Sequence, residues 1–239
     1  MWTWSWFSVN GTSTRSSEAL SRLESALNYR FRDRALLQQA LTHRSAARPN
    51  NERLEFLGDA VLGYVVAERL FSTRATDAED VLTLMRASLV RKETLAEVAR
   101  ELDLGSVIRL GSGERRSGGH KRSSILADGL EALFGAIHLD GGIEAVRAVI
   151  VRLFDERMAR LDADEVKDPK TRLQEYAQGA NLSLPAYNIL ETSGTAHERE
   201  FLVSCGIPEL GLEVTARGRS RRAAEKTAAR LMLERIAEH

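Results

Sequence analysis

The chain has 239 residues, 43% of them apolar and 28% charged, so it can bury a sizeable core and is neither a wholly disordered nor a collagen-like polymer. Its 34 Lys and Arg balance 34 Asp and Glu, which removes a global basic signature for nucleic acid but leaves room for a local one. No apolar run approaches the roughly 18 residues of a bilayer span, and the single cysteine, Cys205, allows neither an internal disulfide nor a cysteine-based zinc site.

Residues 1–17 lack a sustained period and are rich in Ser, Thr and Gly, so a poorly ordered extension is expected there. The alternation of Trp2, Trp4 and Trp6 leaves a short strand or a partner contact open. Neither a basic n-region nor a small-residue cleavage site accompanies it, so no secretory signal is expected. With the lone cysteine, this fits a reducing cytoplasm. Helical period begins near Glu18, where Leu20, Leu23 and Leu27 share a face, and Leu36, Leu37 and Leu41 repeat the pattern. Asn51 is the expected N-cap of a long helix, ERLEFLGDAVLGYVVAERLF. DAEDVLTLMRASLVR and KETLAEVARELDL predict two more helices. Residues 105–124 read as a loop with basic residues. SSILADGLEALFGAIHLDGG predicts a helix with Ser at its N-cap and Gly141 and Gly142 as its stop, and IEAVRAVIVRLFDERMARL a further one.

The character changes after Leu161. Residues 162–169 are polar, charged and end in Pro169, as a linker would. Then follow one helix, TRLQEYAQGAN, three alternating strand-like runs, PAYNILETSG, EREFLVSCGIP and LGLEVTARG, and a final helix, SRRAAEKTAARLMLERIAE. The expected architecture is an all-helical unit over 18–161 followed by a small α-β-β-β-α unit over 170–239, its helices on one face of an antiparallel sheet.

Two acidic constellations stand out. At about 100° per residue, Glu52, Glu55 and Asp59 fall within an arc of roughly 60°, beside an apolar stripe of Leu54, Val61 and Val65. Asp128 and Glu131 lie one turn apart on a helix that is apolar nearly all round. Buried carboxylates so placed repel each other and lose hydration, so they require cations. Nearby Lys or Arg would serve; so would a divalent metal, and oxygen donors without His or Cys favour Mg²⁺ or Mn²⁺ over zinc. Several acids converging from two helices would suit metal-assisted phosphoryl hydrolysis.

The wording of these segments resembles a known family. NERLEFLGDAVL is similar to the signature of ribonuclease III, and SILADGLEALFGA to its second catalytic segment. The 73 positions from Glu55 to Asp128, LTHRS at 41–45 and LVRKETLAEVARELDLG at 89–105 also resemble its bacterial members. The resemblance spans roughly 18–237. It implies that Glu55, Asp59, Asp128 and Glu131 are the catalytic acids. Glu55, Asp128 and Glu131 would hold Mg²⁺, directly or through water, and Asp59 would act through an ordered water. Glu52 would serve dimer structure and site integrity, and Phe56 would pack into the partner subunit of a homodimer. Activated water would then attack the phosphate and the 3′ oxygen would leave. No protein nucleophile is implied, and His43 and His120 are not read as catalytic.

The last 70 residues resemble a double-stranded-RNA-binding domain. From Arg217 to Arg230, six basic residues face one acid, Glu225, in fourteen positions. Ser220 should cap the final helix and aim its amides at phosphate. By the resemblance, Thr171, Gln174 and Glu175 face one minor groove, His197 enters the next, and Arg221 and Arg222 contact phosphate. Glu225 stands where many such domains carry Lys, which should weaken attraction. The function implied is a Mg²⁺-dependent, homodimeric, double-strand-specific endoribonuclease without a small-molecule cofactor or membrane partner, acting in rRNA precursor processing and mRNA turnover. The rivals are a duplex-RNA clamp on an inactive nuclease domain, which should have lost one of the four acids, and a small-phosphoester hydrolase, which would need a closed pocket and no second domain.

Overall fold

The computed structural model describes residues 10–162, 166–194 and 198–238, with side chains from residue 17. The three N-terminal Trp and His197 lie outside the described residues. The chain divides between Leu161 and Asp162 into two compact units. None of its described helices is long and apolar enough to cross a membrane.

The first unit is helical. It runs through α1 (Asn10–Leu27), α2 (Arg34–Ala40), α3 (Glu52–Thr73), α4 (Glu79–Val90), α5 (Lys92–Glu101), the short α6 (Ser112–Arg116) and the long α7 (Ser123–Ala159). Helix α1 starts eight residues before the expected Glu18. Nothing between Thr12 and Ser17 breaks a helix, and Ser and Thr each cost only tenths of a kcal/mol, so a helix nucleated by buried Leu23 and Leu27 extends backward. The stretch 105–124 is not a plain loop: it holds α6 and two 3-10 turns, Leu104–Ser106 and Gly119–Lys121. Helix α7 does not stop at the glycine pair. It bends at Gly142 (φ 82°, ψ −179°) and resumes, so the two expected helices form one element with a break. Asp140 anchors that break, accepting from the Tyr29 hydroxyl at 2.6 Å and from the backbone N–H groups of Arg32 and Asp33 at 2.9 and 2.8 Å.

Two expected caps differ. Asn51 precedes α3 but is itself in the right-handed helical region and makes no side-chain cap, because it is buried and its N–H donates to the Thr42 carbonyl at 2.9 Å. Asn50 caps instead, its Oδ1 accepting from the Glu52 N–H at 3.2 Å. Ser123 is already helical, and its hydroxyl accepts from Arg100 at 2.7 Å, so Arg122 stands at the N-cap without a side-chain bond.

Helices α3 and α7 form the central pair. Leu54, Val61, Leu62, Val65 and Val66 of α3 and Leu130, Leu133, Phe134 and Ile137 of α7 are buried where the two helices pack together. The crossing is close because two glycines meet there. A Cβ on Gly58 would lie 1.7 Å from the Glu131 carbonyl oxygen, and one on Gly135 would lie 2.2 Å from that of Leu54.

The second unit has the expected order: α8 (Pro169–Gly179), β1 (Ala186–Ser193), β2 (Glu200–Ile207), β3 (Leu212–Gly218) and α9 (Arg221–Ala237). Pro169 is not the end of a linker but the first residue of α8, where its missing N–H and fixed φ cost nothing, and Asp168 caps it by accepting from Lys170 N–H at 3.0 Å. The antiparallel sheet has the order β1-β2-β3, with Tyr187 opposite Cys205 and Cys205 opposite Val214. Leu173, Cys205, Ile207, Ala228, Ala229 and Met232 form its core between helices and sheet.

Candidate active site and nucleic-acid interface

The first turn of α3 presents Glu52 and Glu55, and the glycine-mediated crossing sets them beside Asp128 and Glu131 of α7. One carboxylate oxygen each from Glu55, Asp128 and Glu131 lies within 4.8 Å of the others. Two oxygens opposite each other on one cation with ~2.1 Å bonds would be ~4.2 Å apart, so a slight side-chain adjustment lets the three share an ion. All three are half-buried. Asp59 is exposed and outside this triplet, but close enough for its charge to act on both Glu131 and Glu55.

The electrostatics match the need for a cation. Burial, then the charges of Asp59, Glu55 and Asp128, push the Glu131 carboxyl up to about 8. Burial, Asp128 and Glu52 raise Glu55 against the opposing pull of Arg44. Burial raises Asp128, while His43, Lys92 and Arg44 oppose it. None of the three carboxylates has an ion pair with Lys or Arg within 4.0 Å among the described residues, so Arg44 and Lys92 act only at longer range and leave charge that protons or a divalent ion can offset. An all-oxygen donor set of this size suits a hard cation.

Beside the acids opens a cleft of about 510 Å³ whose lining includes His43, Arg44, Ser45, Glu52, Glu55, Arg122 and Asp128. A two-way backbone bridge holds its wall: His43 N–H donates to the Arg109 carbonyl at 3.0 Å and Arg109 N–H to that of Leu41 at 2.7 Å. His43 is buried, and its Nδ1 lies 2.8 Å from the Ser45 hydroxyl and 3.2 Å from the Ser45 N–H. That agrees with a packed, oriented histidine. His120 is exposed in a 3-10 turn. Glu52 sits at the cleft edge, 3.6 Å from Arg44 and bonded to Asn50 at 2.9 Å. Phe56 points away from the core and is 81% exposed. Sequence reasoning missed Gly58, Gly135, Asn50 and the Arg122–Glu114 pair (2.6 Å). The two glycines carried a readable signal, since mid-helix glycine costs about 1 kcal/mol and needs a packing reason.

In the second unit Thr171, Gln174 and Glu175 share the exposed side of α8, and Glu175 pairs with Lys167 at 3.1 Å. Ser220 Oγ accepts from the Ala223 N–H at 3.2 Å, so the expected cap of α9 forms. Arg221 and Arg222 are exposed on its first turn. The basic stretch is less cationic than its sequence suggests. Arg217 pairs with Glu200 at 2.9 Å, Lys226 with Asp168 at 3.5 Å, and Arg230 with Glu234. Arg219 and Arg222 have no ion pair among the described residues.

Comparison with known proteins follows the same division. A family profile described as Ribonuclease-III-like matches residues 33–157, and one described as Double-stranded RNA binding motif matches residues 169–236. A protein named Ribonuclease 3 from Bordetella pertussis is 52% identical over 217 residues, covering 90% of this chain and 85% of that protein. One from Alkalilimnicola ehrlichii is 50% identical over 215 residues, covering 90% and 94%. The crystal structure of the nuclease domain of ribonuclease III from Campylobacter jejuni aligns with a TM-score of 0.57 at 46% identity, covering 60% of this chain and 98% of that one. A second structure of that domain, TM-score 0.56 at 47% identity over 57% and 96%, is described as flexible in the region involved in dimer formation.

Proposed function

Since this chain belongs to the ribonuclease III family, we propose that it cleaves double-stranded RNA as a homodimer, using Mg²⁺, or Mn²⁺ in its place, held by Glu55, Asp128 and Glu131. Asp59 completes the acidic cluster through an ordered water. The observation that carries this reading is the convergence of three carboxylate oxygens from two helices within 4.8 Å, beside an open, partly cationic cleft. A divalent ion bound there lowers the pKa of a water and offsets the charge that develops on the phosphate. The chain's residues hold and tune that site. Glu131, whose carboxyl is pushed up to about 8, would have to release its proton to hold the ion. Glu52 steadies Arg44, which offers a cation to a phosphate oxygen in the cleft.

One cluster cuts one strand, so two copies related by a twofold axis cut both, with exposed Phe56 at the interface. The second unit grips the duplex by its shape over about 16 bp. Thr171, Gln174 and Glu175 face one minor groove, and His197 enters the next. Ser220, Arg221 and Arg222 meet phosphate. The products carry 5′-phosphate and 3′-hydroxyl ends with two-nucleotide 3′ overhangs. The setting is the cytoplasm, in rRNA precursor processing and mRNA turnover.

A long labelled RNA duplex incubated with Mg²⁺ tests this, with Glu131→Gln beside the parent. The parent should cut. The variant should lose about a thousandfold or more in rate while still shifting the duplex in a gel, because the cation contributes several kcal/mol to the transition state. Binding without cutting by both proteins, at every Mg²⁺ or Mn²⁺ concentration, would make the protein a clamp.

A further inference from the structure

We infer that Glu225 is a positioning residue for duplex RNA, a buried strut that pins two cations at the starts of α8 and α9 and so holds the two RNA-facing helix starts in register. This rests on the reading above that the face bearing Thr171, Gln174, Arg221 and Arg222 binds RNA. From the sequence, Glu225 looks like a misplaced negative charge on a cationic surface. Its surroundings say otherwise. It is 7% exposed, although it lies on the first turns of a helix whose neighbours Arg221, Arg222 and Lys226 are exposed. Its Oε2 accepts from Lys170 Nζ at 2.5 Å and its Oε1 from Arg221 Nε at 2.7 Å. Lys170 belongs to α8, directly before Thr171, and its ammonium also sits 4.5 Å from the Tyr187 ring centroid. One carboxylate thereby ties a residue of each RNA-facing helix. Lys226 with Asp168, at 3.5 Å, makes a second tie between the same two starts.

The geometry leaves the cations usable. Arg221 engages Glu225 through Nε alone, so both its Nη nitrogens remain without a partner among the described residues, on a side chain that is 63% exposed. A guanidinium fork with its inner nitrogen pinned is preorganised for a phosphate. The trio of Lys170, Arg221 and Glu225 keeps one net positive charge, so pinning does not cancel the attraction. A packing role alone would be met better by an apolar residue, since burying an ion pair seldom stabilises more than a hydrophobic replacement.

The test is equilibrium binding of the full chain to an RNA duplex of about 20 bp, in EDTA to prevent cutting, read by fluorescence anisotropy across a salt series. Arg222→Ala, which removes an exposed cation that Glu225 does not touch, reports on the face itself and should weaken binding. Glu225→Gln should weaken binding about fivefold although it removes a negative charge. It should also lower the slope of log K against log salt by up to about one, as Arg221 leaves its phosphate. Lys170→Gln should weaken binding similarly, and the double variant should lose no more than one single change, because the residues act as a unit. Parent-like or tighter binding by Glu225→Gln, with Arg222→Ala weakened, would overturn the inference. Unchanged binding by Arg222→Ala would overturn the reading of the face on which it stands. Should Glu225→Gln fail to fold, Glu225→Asp decides: it keeps the charge but is too short to reach both cations, so weakened binding supports the strut and parent-like binding overturns it.

Discussion

Glu131 retains its proton to about pH 8 because it is buried among three other acids, whereas the unfolded chain releases that proton near the ordinary glutamate value. Between those two values the native state holds one proton more than the unfolded state, so without a cation stability falls as pH rises through the window. We expect the Tm of the cation-free protein to drop from about pH 5 to about pH 8, and the drop to be shallower in Glu131→Gln; identical pH profiles would contradict the assignment. A divalent ion must displace the same proton. Its apparent affinity should therefore climb, approaching tenfold per pH unit below about 8, in calorimetric titrations of Mn²⁺ into the protein. An affinity flat across that range would show that the carboxyl is already ionised. Spacing singled out five acids and the family resemblance narrowed them to four, three of which the fold brings within 4.8 Å of one another. Glu131's proton was not readable, because it depends on which charges face it across a helix pair.

The crossing of α3 and α7 is what converts two separate acidic pairs into one cluster. It depends on backbone approach at Gly58 and Gly135. A methyl at Gly58 meets a carbonyl oxygen that cannot rotate away, so the helices must part. Gly58→Ala should destabilise the helical unit by about 1–3 kcal/mol, the usual cost of overpacking, in chemical denaturation. It should also slow cleavage about a hundredfold, since displacing reacting groups by about 1 Å has that effect, while duplex binding by the other unit persists. Parent-like cleavage would mean that the acids do not depend on this contact. Helices and strands themselves were legible because period 3.6 and period 2 are written directly into apolar spacing. Their ends were less so. Asn51 and Ser123 are good capping types, but one is buried in a helical conformation and the other is occupied by Arg100. Competition from distant groups decided both.

Across the whole molecule, the outer side of α3 is the feature a monomer does not explain. Phe56, Tyr64 and Phe71 are 81%, 52% and 77% exposed, and a groove of about 370 Å³ lined by Tyr64, Leu70, Phe71 and Leu82 lies alongside. Isolated exposed apolar residues are ordinary, but aromatic residues repeated along one helix offer the apolar face that the proposed dimer needs. Phe56→Glu should raise the dimer dissociation constant by about thirtyfold or more, as losing a buried aromatic anchor does, in sedimentation velocity. It should leave a folded monomer with reduced double-strand cutting. An undiminished dimer would remove Phe56 from the interface.

The order of elements, the break between a helical unit and an α-β-β-β-α unit, and the candidate acids were all present in one dimension, because periodicity and motif spacing are local properties of the chain. Three features needed the folded molecule: the approach of two helices that brings repelling carboxylates within reach of one cation, the burial that pushes the Glu131 carboxyl up, and the pairing of Glu225 with Lys170 and Arg221. Each arises from groups far apart in sequence, Gly58 with Gly135, Asp59 with Glu131, Lys170 with Glu225. Burial and charge coupling depend on distance in space, which no local pattern encodes.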